Sequence, residues 1–208
     1  MSASEAVIHV VDDDARFRTA VAHLLEAGGY QVALYQSGDQ LLRNSPGDGL
    51  GCILLDVRMS GLDGLELQDR LKQMDSLLPI VFLTGHGDIP TSVKAIKAGA
   101  EDFLSKPVSK NTLFAAVERA LAHCREQRAC RDQLDNLRAL VSALTSRERE
   151  VFLLLARGRL NKQVAFELGM SERTVKAHRH AVMQKLKVTS LAQAVSIAER
   201  LGMLAAGT

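Results

Sequence analysis

The alternation of short β-rich runs with helical segments in the first 123 residues constrains the fold most. The β-rich runs are VIHVV (7–11), QVALY (31–35), CILLD (52–56), PIVFLT (79–84) and DFLSK (102–106). Apolar residues recur with helical period near residues 15–28, 37–44, 64–74, 90–98 and 109–123. This alternation predicts an α/β domain with a doubly wound, five-stranded parallel sheet, since each helix returns the chain to start the next strand.

Beyond residue 123 the pattern is helical only. Residues 123–141 are highly charged and contain neither proline nor glycine, so we predict a helical linker there. A coiled coil is a weaker alternative because residues 128–132 are too polar. Four short helices follow near 146–157, 161–168, 172–187 and 190–201. The predicted organisation is therefore an α/β domain at 1–122, the linker at 123–141 and an all-α domain at 142–208.

The two halves of the chain carry opposite charge. Residues 1–123 contain 11 Lys and Arg against 16 Asp and Glu, whereas residues 124–208 contain 15 against 8. The basic half is a candidate for a polyanion such as DNA, although basic helices often carry such an excess only as a solvated surface. We find no secretory signal and no apolar run long enough to span a membrane, so a cytoplasmic protein is expected.

Charged and hydroxyl side chains fall where the predicted strands end. Asp12 and Asp13 follow the first strand, Asp56 ends the third, Thr84 the fourth and Lys106 the fifth. The carboxyl ends of parallel strands meet at one edge of a sheet, which is where ligands of such folds bind. Carboxylate oxygens suit Mg²⁺, and a metal with a lysine and a hydroxyl nearby could hold a phosphoryl group. For any one of these acids, a cap or turn is the simpler explanation.

Four motifs in this region resemble the receiver domain of two-component response regulators, nearest to the FixJ, StyR and TodT group. They are VVDDD, LLDVRMSGLDGLEL, IVFLTGHGDIP and AGAEDFLSKPV. The resemblance implies that Asp56 is the phosphoacceptor. It also implies Mg²⁺ (or Mn²⁺) bound by Asp13, Asp56 and the Arg58 carbonyl, with Asp12 acting through water. Asp14 is expected to cap the first helix instead.

The same resemblance assigns the residues around the phosphoryl group. Lys106 and Thr84 are the implied phosphoryl contacts, and Phe103 matches the aromatic residue that reorients on activation. Arg58 and His86, each two residues beyond a site residue, are expected to control water access during slow autohydrolysis.

The chain departs from the family pattern at Ser60. Receivers usually have proline there, in a Met-Pro-Gly sequence, whereas this chain has RMSG. Proline fixes φ, so its absence is expected to loosen the loop that carries the metal-facing carbonyl. We expect only a modest effect of Ser60→Pro on Mg²⁺ affinity.

The last segment has the cap and stop signals of short helices. Thr145 and Glu148 have the spacing of a capping box before an apolar run. Asn161 is predicted to be the N-cap of the next helix, and Gly169 to end it. A short turn then leads to the third helix of the segment, ERTVKAHRHAVMQKLK.

This third helix is amphipathic. Val175, Val182 and Leu186 form an apolar stripe. The opposite face carries Arg173, Lys176, Ala177, His180, Gln184 and Lys187. Cations, a small residue and polar donors on one face suit the DNA major groove, although a plain solvated face is commoner for any single helix.

The segment from LTSREREVF to LKVTS resembles the helix-turn-helix of NarL/LuxR-type regulators. By this resemblance Lys176, Ala177 and His180 face bases, and Arg173, Thr174 and Arg179 face phosphates. Asn161, in the N-K-x-x-A helix, is a further implied DNA-binding residue, and His178 is left as structural. Leu160 stands where the family often has Ser or Thr. The last helix is the implied contact between two DNA-binding domains.

Together these features predict a phosphorylation-dependent transcription regulator. Its expected partners are a sensor histidine kinase, promoter DNA, a second copy of the chain after phosphorylation, and RNA polymerase. Its only expected chemistry is self-phosphorylation and autodephosphorylation. One alternative is a regulator that works without phosphorylation. Another, much weaker, is a Mg²⁺-dependent phosphatase of the haloacid-dehalogenase type, since Asp12-x-Asp14 resembles its motif but Arg16 does not fit.

Overall fold

A computed structural model describes residues 6–44, 47, 49–85 and 89–204. The chain divides into two compact units, Met1–Arg128 and Ala129–Thr208. Within the described residues, no helix is both long and apolar enough to cross a membrane.

The first unit is a parallel sheet with helices on both faces, as predicted. Its strands are β1 (Val7–Val11), β2 (Gln31–Tyr35), β3 (Gly51–Leu55), β4 (Ile80–Thr84) and β5 (Asp102–Ser105). Its helices are α1 (Ala15–Glu26), α2 (Gly38–Arg43), α3 (Gly64–Gln73), α4 (Ile89–Lys97) and the start of α5 (Lys110–Ser142). The strand order is β2-β1-β3-β4-β5, and every pairing is parallel. The order reverses beside β1, so the site expected at this edge lies at a topological switch point.

Two apolar cores lie on opposite faces of the sheet. Every residue of β3 and β4 is buried, which is why these strands read as continuous apolar runs rather than as alternating ones. Along β3, Ile53 and Leu55 join one core, whereas Cys52 and Leu54 join the other. The side-chain alternation of a strand thus supplies both faces of the unit.

Caps and one glycine fix the loops that follow β1 and β3. Asp14 caps α1, as predicted, by accepting the backbone N–H groups of Arg16 and Phe17. Gly64 begins α3 close behind the end of β3, where a Cβ would lie 2.3 Å from the Asp56 carbonyl oxygen. Because only glycine permits that approach, Gly64 lets α3 pack against the loop that carries the candidate acceptor.

Helix α5 is one continuous element of 33 residues. It includes both the fifth helix predicted at 109–123 and the linker predicted at 123–141. At 1.5 Å per residue, its length is about 50 Å.

The second unit begins within α5, and its residues up to 204 contain four further helices. These are α6 (Ser146–Ala156), α7 (Asn161–Glu167), α8 (Glu172–Lys185) and α9 (Leu191–Arg200). Two small apolar clusters hold them together, and Phe152, Val182 and Leu186 lie in one of the two. Each of these helices is too short to be stable alone. Their apolar side chains pack together in the two clusters, and this packing stabilises the unit.

The helix termini of this unit confirm one cap and correct another. Thr145 and Glu148 form the predicted capping box. Asn161 is not the N-cap of α7 but its first residue, and Leu160 is the N-cap. The side chain of Gln163 accepts the Leu160 backbone N–H at 2.9 Å, so a residue inside the helix supplies a bond that a leucine side chain cannot.

The three cysteines differ in accessibility. Cys52 and Cys124 are buried, whereas Cys130 is exposed on α5. Burial raises the pKa of the Cys52 thiol far above its usual range. This sulfhydryl is therefore a small core residue rather than a nucleophile.

Candidate functional sites

The carboxyl edge of the sheet brings the predicted site residues together. Asp12 follows β1, Asp56 follows β3, Thr84 ends β4, and Lys106 follows β5. The strand register explains this convergence, because Val11 pairs with Leu55 and so Asp12 and Asp56 leave adjacent strands at the same level.

Three carboxylates form a tight acidic cluster at this edge. Asp12, Asp13 and Asp56 each offer an oxygen, and these three oxygens lie within 4.8 Å of one another. Asp12 and Asp56 are buried, whereas Asp13 is exposed. The cluster therefore has a buried floor and an open side from which a ligand can approach.

Lys106 is the cation of the site. Its Nζ donates to Asp12 Oδ2 at 2.5 Å and to Asp56 Oδ2 at 2.9 Å. The same Nζ lies 4.0 Å from the centre of the Phe17 ring, close enough for a cation–π contact. Burial lowers the pKa of Lys106, but the bonds to the two carboxylates outweigh burial and raise it overall. Lys106 is therefore charged at neutral pH.

Asp12 is the most enclosed of the three acids, with 2% of its surface exposed. Its Oδ1 accepts the Asp14 backbone N–H at 2.9 Å, and its Oδ2 accepts Lys106. The Arg18 guanidinium donates to the Asp12 carbonyl oxygen. Burial raises the pKa of Asp12, and the bond from Lys106 offsets this only in part. Both carboxylate oxygens of Asp12 thus already have protein partners.

Asp13 is bound by the loop that follows Asp56. The Ser60 backbone N–H donates to Asp13 Oδ2 at 3.1 Å, and the Ser60 hydroxyl donates to the same oxygen at 3.3 Å. The predicted metal-binding loop thus contacts a predicted metal ligand through the residue that replaces proline. In the same loop, the exposed Arg58 directs its backbone N–H at Asp56 Oδ1, at 3.4 Å.

Thr84 and Phe103 lie on the neighbouring strands β4 and β5, and Thr84 ends β4 at the edge of the sheet that carries the acidic cluster. Thr84 is buried, and Phe103 is half-buried with its ring centre 5.9 Å from that of Phe82. In the strand register, Phe82 pairs with Phe103 and Thr84 with Ser105. The predicted water-controlling residue His86 lies outside the described residues.

The donor set fits a hard divalent cation. It consists of carboxylate oxygens. When the three aspartates are ionised they carry three negative charges, of which the Lys106 ammonium balances one and leaves two. Mg²⁺ and Mn²⁺ prefer such oxygen ligands and carry that charge.

Helix α8 presents the predicted DNA-binding face. Val175, Val182 and Leu186 are buried, as the predicted apolar stripe requires. Five of the implied contact residues are exposed, namely Arg173, Thr174, Lys176, Ala177 and His180. Arg179 and, on α7, Asn161 are half-buried. The structure thus brings most of the predicted contacts to one free face.

The start of α8 is well defined. Ser171 caps the helix by accepting the Thr174 backbone N–H at 3.1 Å. The Ser171 and Thr174 hydroxyls are 2.9 Å apart and hydrogen-bonded. Near the other end, Lys185 donates to Glu148 Oε2 at 2.6 Å and so ties α8 to the start of α6. The exposed face of α8 is therefore held at both ends.

Several site contacts are not predicted from the sequence. The contacts of Phe17 and Arg18 could have been predicted from their position, because both residues lie in the first turn of a helix that begins directly after the three acids. The bond from Ser60 to Asp13 has none, since 47 residues separate the partners. The exposed apolar residues Leu160 and Phe166 on and before α7 were likewise not predicted to be accessible.

Comparison with known proteins agrees with this geometry. Residues 8–118 match the family described as "Response regulator receiver domain", and residues 142–198 match "Bacterial regulatory proteins, luxR family". The response regulator protein TodT of Pseudomonas putida is 41% identical over 201 residues, which cover 97% of this chain and 88% of TodT. The transcriptional regulatory protein FixJ of Bradyrhizobium diazoefficiens is 41% identical over 197 residues, covering 95% and 96% of the two chains.

Two solved structures of response regulators also match almost the whole chain. The response regulator StyR is 44% identical and superposes with a TM-score of 0.81, covering 94% of this chain and 99% of StyR. Full-length FixJ from B. japonicum is 40% identical with a TM-score of 0.58, covering 95% and 98%. These relatives are regulators rather than classical enzymes, which removes the phosphatase alternative. The chain therefore belongs to the two-component response regulators that join a receiver domain to a LuxR-type helix-turn-helix domain.

Proposed function

We propose that this regulator is switched by phosphorylation of Asp56 by a partner sensor histidine kinase. The observation that carries the proposal is the double ion pair of Lys106 with Asp12 and Asp56, set within a cluster of three carboxylates. An aspartate that only caps a helix or forms a turn requires neither a lysine partner nor two neighbouring carboxylates. We further propose that residues 1–122 are the receiver, 142–208 the DNA-binding domain and 123–141 the connection between them.

The residues fit Mg²⁺ or Mn²⁺, held by Asp13, Asp56 and the Arg58 carbonyl. When bound, the ion neutralises the charge of the acids and of the phosphoryl oxygens. Asp12 is proposed to act through water, because it is the most enclosed of the three acids, with 2% of its surface exposed. The exposure of Asp13 on the open side of the cluster supports its role as a direct ligand.

The transfer step forms an acyl phosphate. A carboxylate oxygen of Asp56 attacks the phosphorus of the kinase phosphohistidine, an O–P bond forms as the N–P bond breaks, and the imidazole leaves. Lys106 lies 2.9 Å from the Asp56 carboxylate, so its ammonium can follow the charge onto the phosphoryl oxygens without leaving the site. Loss of the phosphoryl group to water returns Asp56, with Arg58 and His86 proposed to limit that water.

Phosphorylation is proposed to act on the rest of the molecule through Thr84 and Phe103. Movement of the Thr84 hydroxyl toward the phosphoryl group leaves space into which Phe103, on the adjacent strand, can turn further. This changes the face made by β5 and α4, where the apolar residues Ile89, Val93 and Ile96 are exposed. We propose this face as the contact that forms a homodimer after phosphorylation.

The second domain is proposed to bind promoter DNA in the cytoplasm. The exposed face of α8 would enter the major groove, with Lys176, Ala177 and His180 toward bases. Arg173, Thr174, Arg179 and Asn161 are the proposed phosphate-side contacts. Dimerisation would place two such helices on two half-sites, so that the affinities combine. Contact with RNA polymerase would then act on transcription.

The first test is incubation of the full chain with acetyl phosphate and Mg²⁺. We expect one added phosphoryl group by intact mass and conversion to a dimer by light scattering. Asp56→Asn should show neither, whereas Asp69→Asn, which removes an exposed acid on α3, should behave like the native chain. A native chain that gains neither mass nor dimer would refute phosphorylation control and favour the regulator that works without it.

The second test measures binding of the full chain to fluorescein-labelled double-stranded DNA by fluorescence anisotropy. Removing one side chain that contacts a base or phosphate costs about 1–3 kcal/mol, so Lys176→Ala should weaken binding by about 5- to 150-fold. Lys72→Ala, a matched loss of an exposed lysine in the receiver, should leave affinity unchanged. Equal affinities of the two variants would argue against α8 as the recognition helix.

A further inference from the structure

We infer that Ser60 positions Asp13 for metal binding through hydrogen bonds from its backbone N–H and its hydroxyl. The inference rests on the proposed function, because it concerns the same metal site. Ser60 does not touch the metal or the phosphoryl group in this assignment. It acts only through Asp13.

The geometry assigns both donors of Ser60 to one oxygen. Its backbone N–H and its hydroxyl reach Asp13 Oδ2 at 3.1 and 3.3 Å. Among the described residues, no other donates a hydrogen bond to the Asp13 side chain. Both residues are exposed, so without these bonds the Asp13 carboxylate would sample several rotamers in water.

Proline could not make this contact. It has no backbone N–H and no hydroxyl, so it would stiffen the loop while leaving Asp13 unbound. The bond from Ser60 instead joins two segments that each supply a proposed ligand. Asp13 follows β1, and Arg58, whose carbonyl is a further proposed ligand, belongs to the loop after β3 that carries Ser60. Fixing one segment to the other restricts both ligands at once.

The hydrogen bonds and a metal can coexist on Asp13. The three carboxylate oxygens lie within 4.8 Å of one another while Ser60 holds Asp13, so this orientation already suits an ion. A carboxylate has about four lone-pair directions, and Ser60 uses only part of this capacity. Ser60 therefore prepares the site rather than competing with the ion, and its removal should weaken metal binding.

The experiment is a Mn²⁺ titration of the full chain, with free Mn²⁺ measured by electron paramagnetic resonance. Losing a typical net hydrogen bond predicts that Ser60→Ala weakens Mn²⁺ binding by about three- to tenfold. Ser60→Thr keeps both donors and should restore native affinity. Ser76→Ala is the control, since it removes a hydroxyl that accepts the Leu78 N–H before β4, at the opposite end of the sheet.

The outcomes separate this inference from the proposed function. If native chain and Asp13→Asn both fail to bind Mn²⁺ saturably, the metal site itself is wrong. If the native chain binds and Asp13→Asn does not, but Ser60→Ala and Ser60→Pro, which lacks both donors, match the native affinity, only the role of Ser60 is refuted. Tighter binding by Ser60→Ala or Ser60→Pro would also refute it, because Ser60 would then compete with the ion. Circular dichroism of each variant verifies that it is folded.

Discussion

Replacing Lys106 with methionine tests the electrostatics of the acidic cluster directly. Methionine keeps most of the aliphatic length of the side chain and removes the ammonium, which lies 4.0 Å from the centre of the Phe17 ring. Two carboxylates, Asp12 and Asp56, then lose their cation in a largely buried site. Removing one partner of a buried ion pair costs about 3–5 kcal/mol, and partial exposure of the lysine and of Asp56 lowers this to about 2–3 kcal/mol.

The assay is urea unfolding of the full chain in EDTA and in saturating Mg²⁺. In EDTA we expect Lys106→Met to lower the free energy of unfolding of the receiver by that amount. In Mg²⁺ the loss should fall by at least half, because a bound divalent cation neutralises the same carboxylates. Lys97→Met, on the exposed side of α4, is the matched control and should change little in either buffer.

The pH dependence supplies a second readout. The pKa of Asp12 is raised by burial, and the lysine holds it down, so the variant should raise it further. A carboxyl whose pKa is higher in the folded than in the unfolded state contributes stability at low pH, which is lost as pH rises through the folded pKa. The loss in free energy of unfolding caused by Lys106→Met should therefore become smaller as pH falls. If Lys106→Met lowers the free energy of unfolding by the same amount at every pH and in both EDTA and Mg²⁺, the loss does not come from the uncompensated carboxylates.

Three further predictions concern other contacts. Burial lowers the pKa of His9, whose Nδ1 lies 3.1 Å from the Tyr35 hydroxyl, so the receiver should lose stability as pH falls below 6.5. His9→Gln should flatten that dependence in urea melts at several pH values. Phe17→Leu removes the ring beside the Lys106 ammonium and should slow phosphorylation by acetyl phosphate about three- to tenfold, followed by intact mass, whereas an unchanged rate would mean that the ring only packs. Thr145→Ala deletes a helix cap and should cost the second unit about 1 kcal/mol in thermal unfolding, while Thr145→Ser should cost much less.

The acidic site was predictable because it follows from topology alone. Once five parallel strands are recognised, the residues after them must meet at one edge, whatever the details of the helices. Asp12, Asp56 and Lys106 therefore converge as the sequence predicts. The amphipathic stripe of α8 was predictable for a similar reason, since helical geometry fixes which residues share a face.

The remaining contacts depend on loop conformations and on where helices begin and end, which short sequence patterns specify poorly. The contact of Ser60 with Asp13 requires the path of two loops far apart in sequence. The N-cap of α7 is Leu160 because the side chain of Gln163 reaches back to it, although Asn161 has the better intrinsic preference for that position. Helix α5 runs on without a stop because residues 123–141 contain nothing that ends a helix.

The unequal burial of the three cysteines has a practical consequence. Only Cys130 offers its sulfur to solvent, so a maleimide or nitroxide reagent should attach once per native chain, without any engineered cysteine. Cys130 lies in the middle of α5, well away in sequence from the acidic cluster, the α4 face and α8. A spin label at this single accessible thiol would give a distance between two copies of the chain only once the proposed dimer forms after phosphorylation.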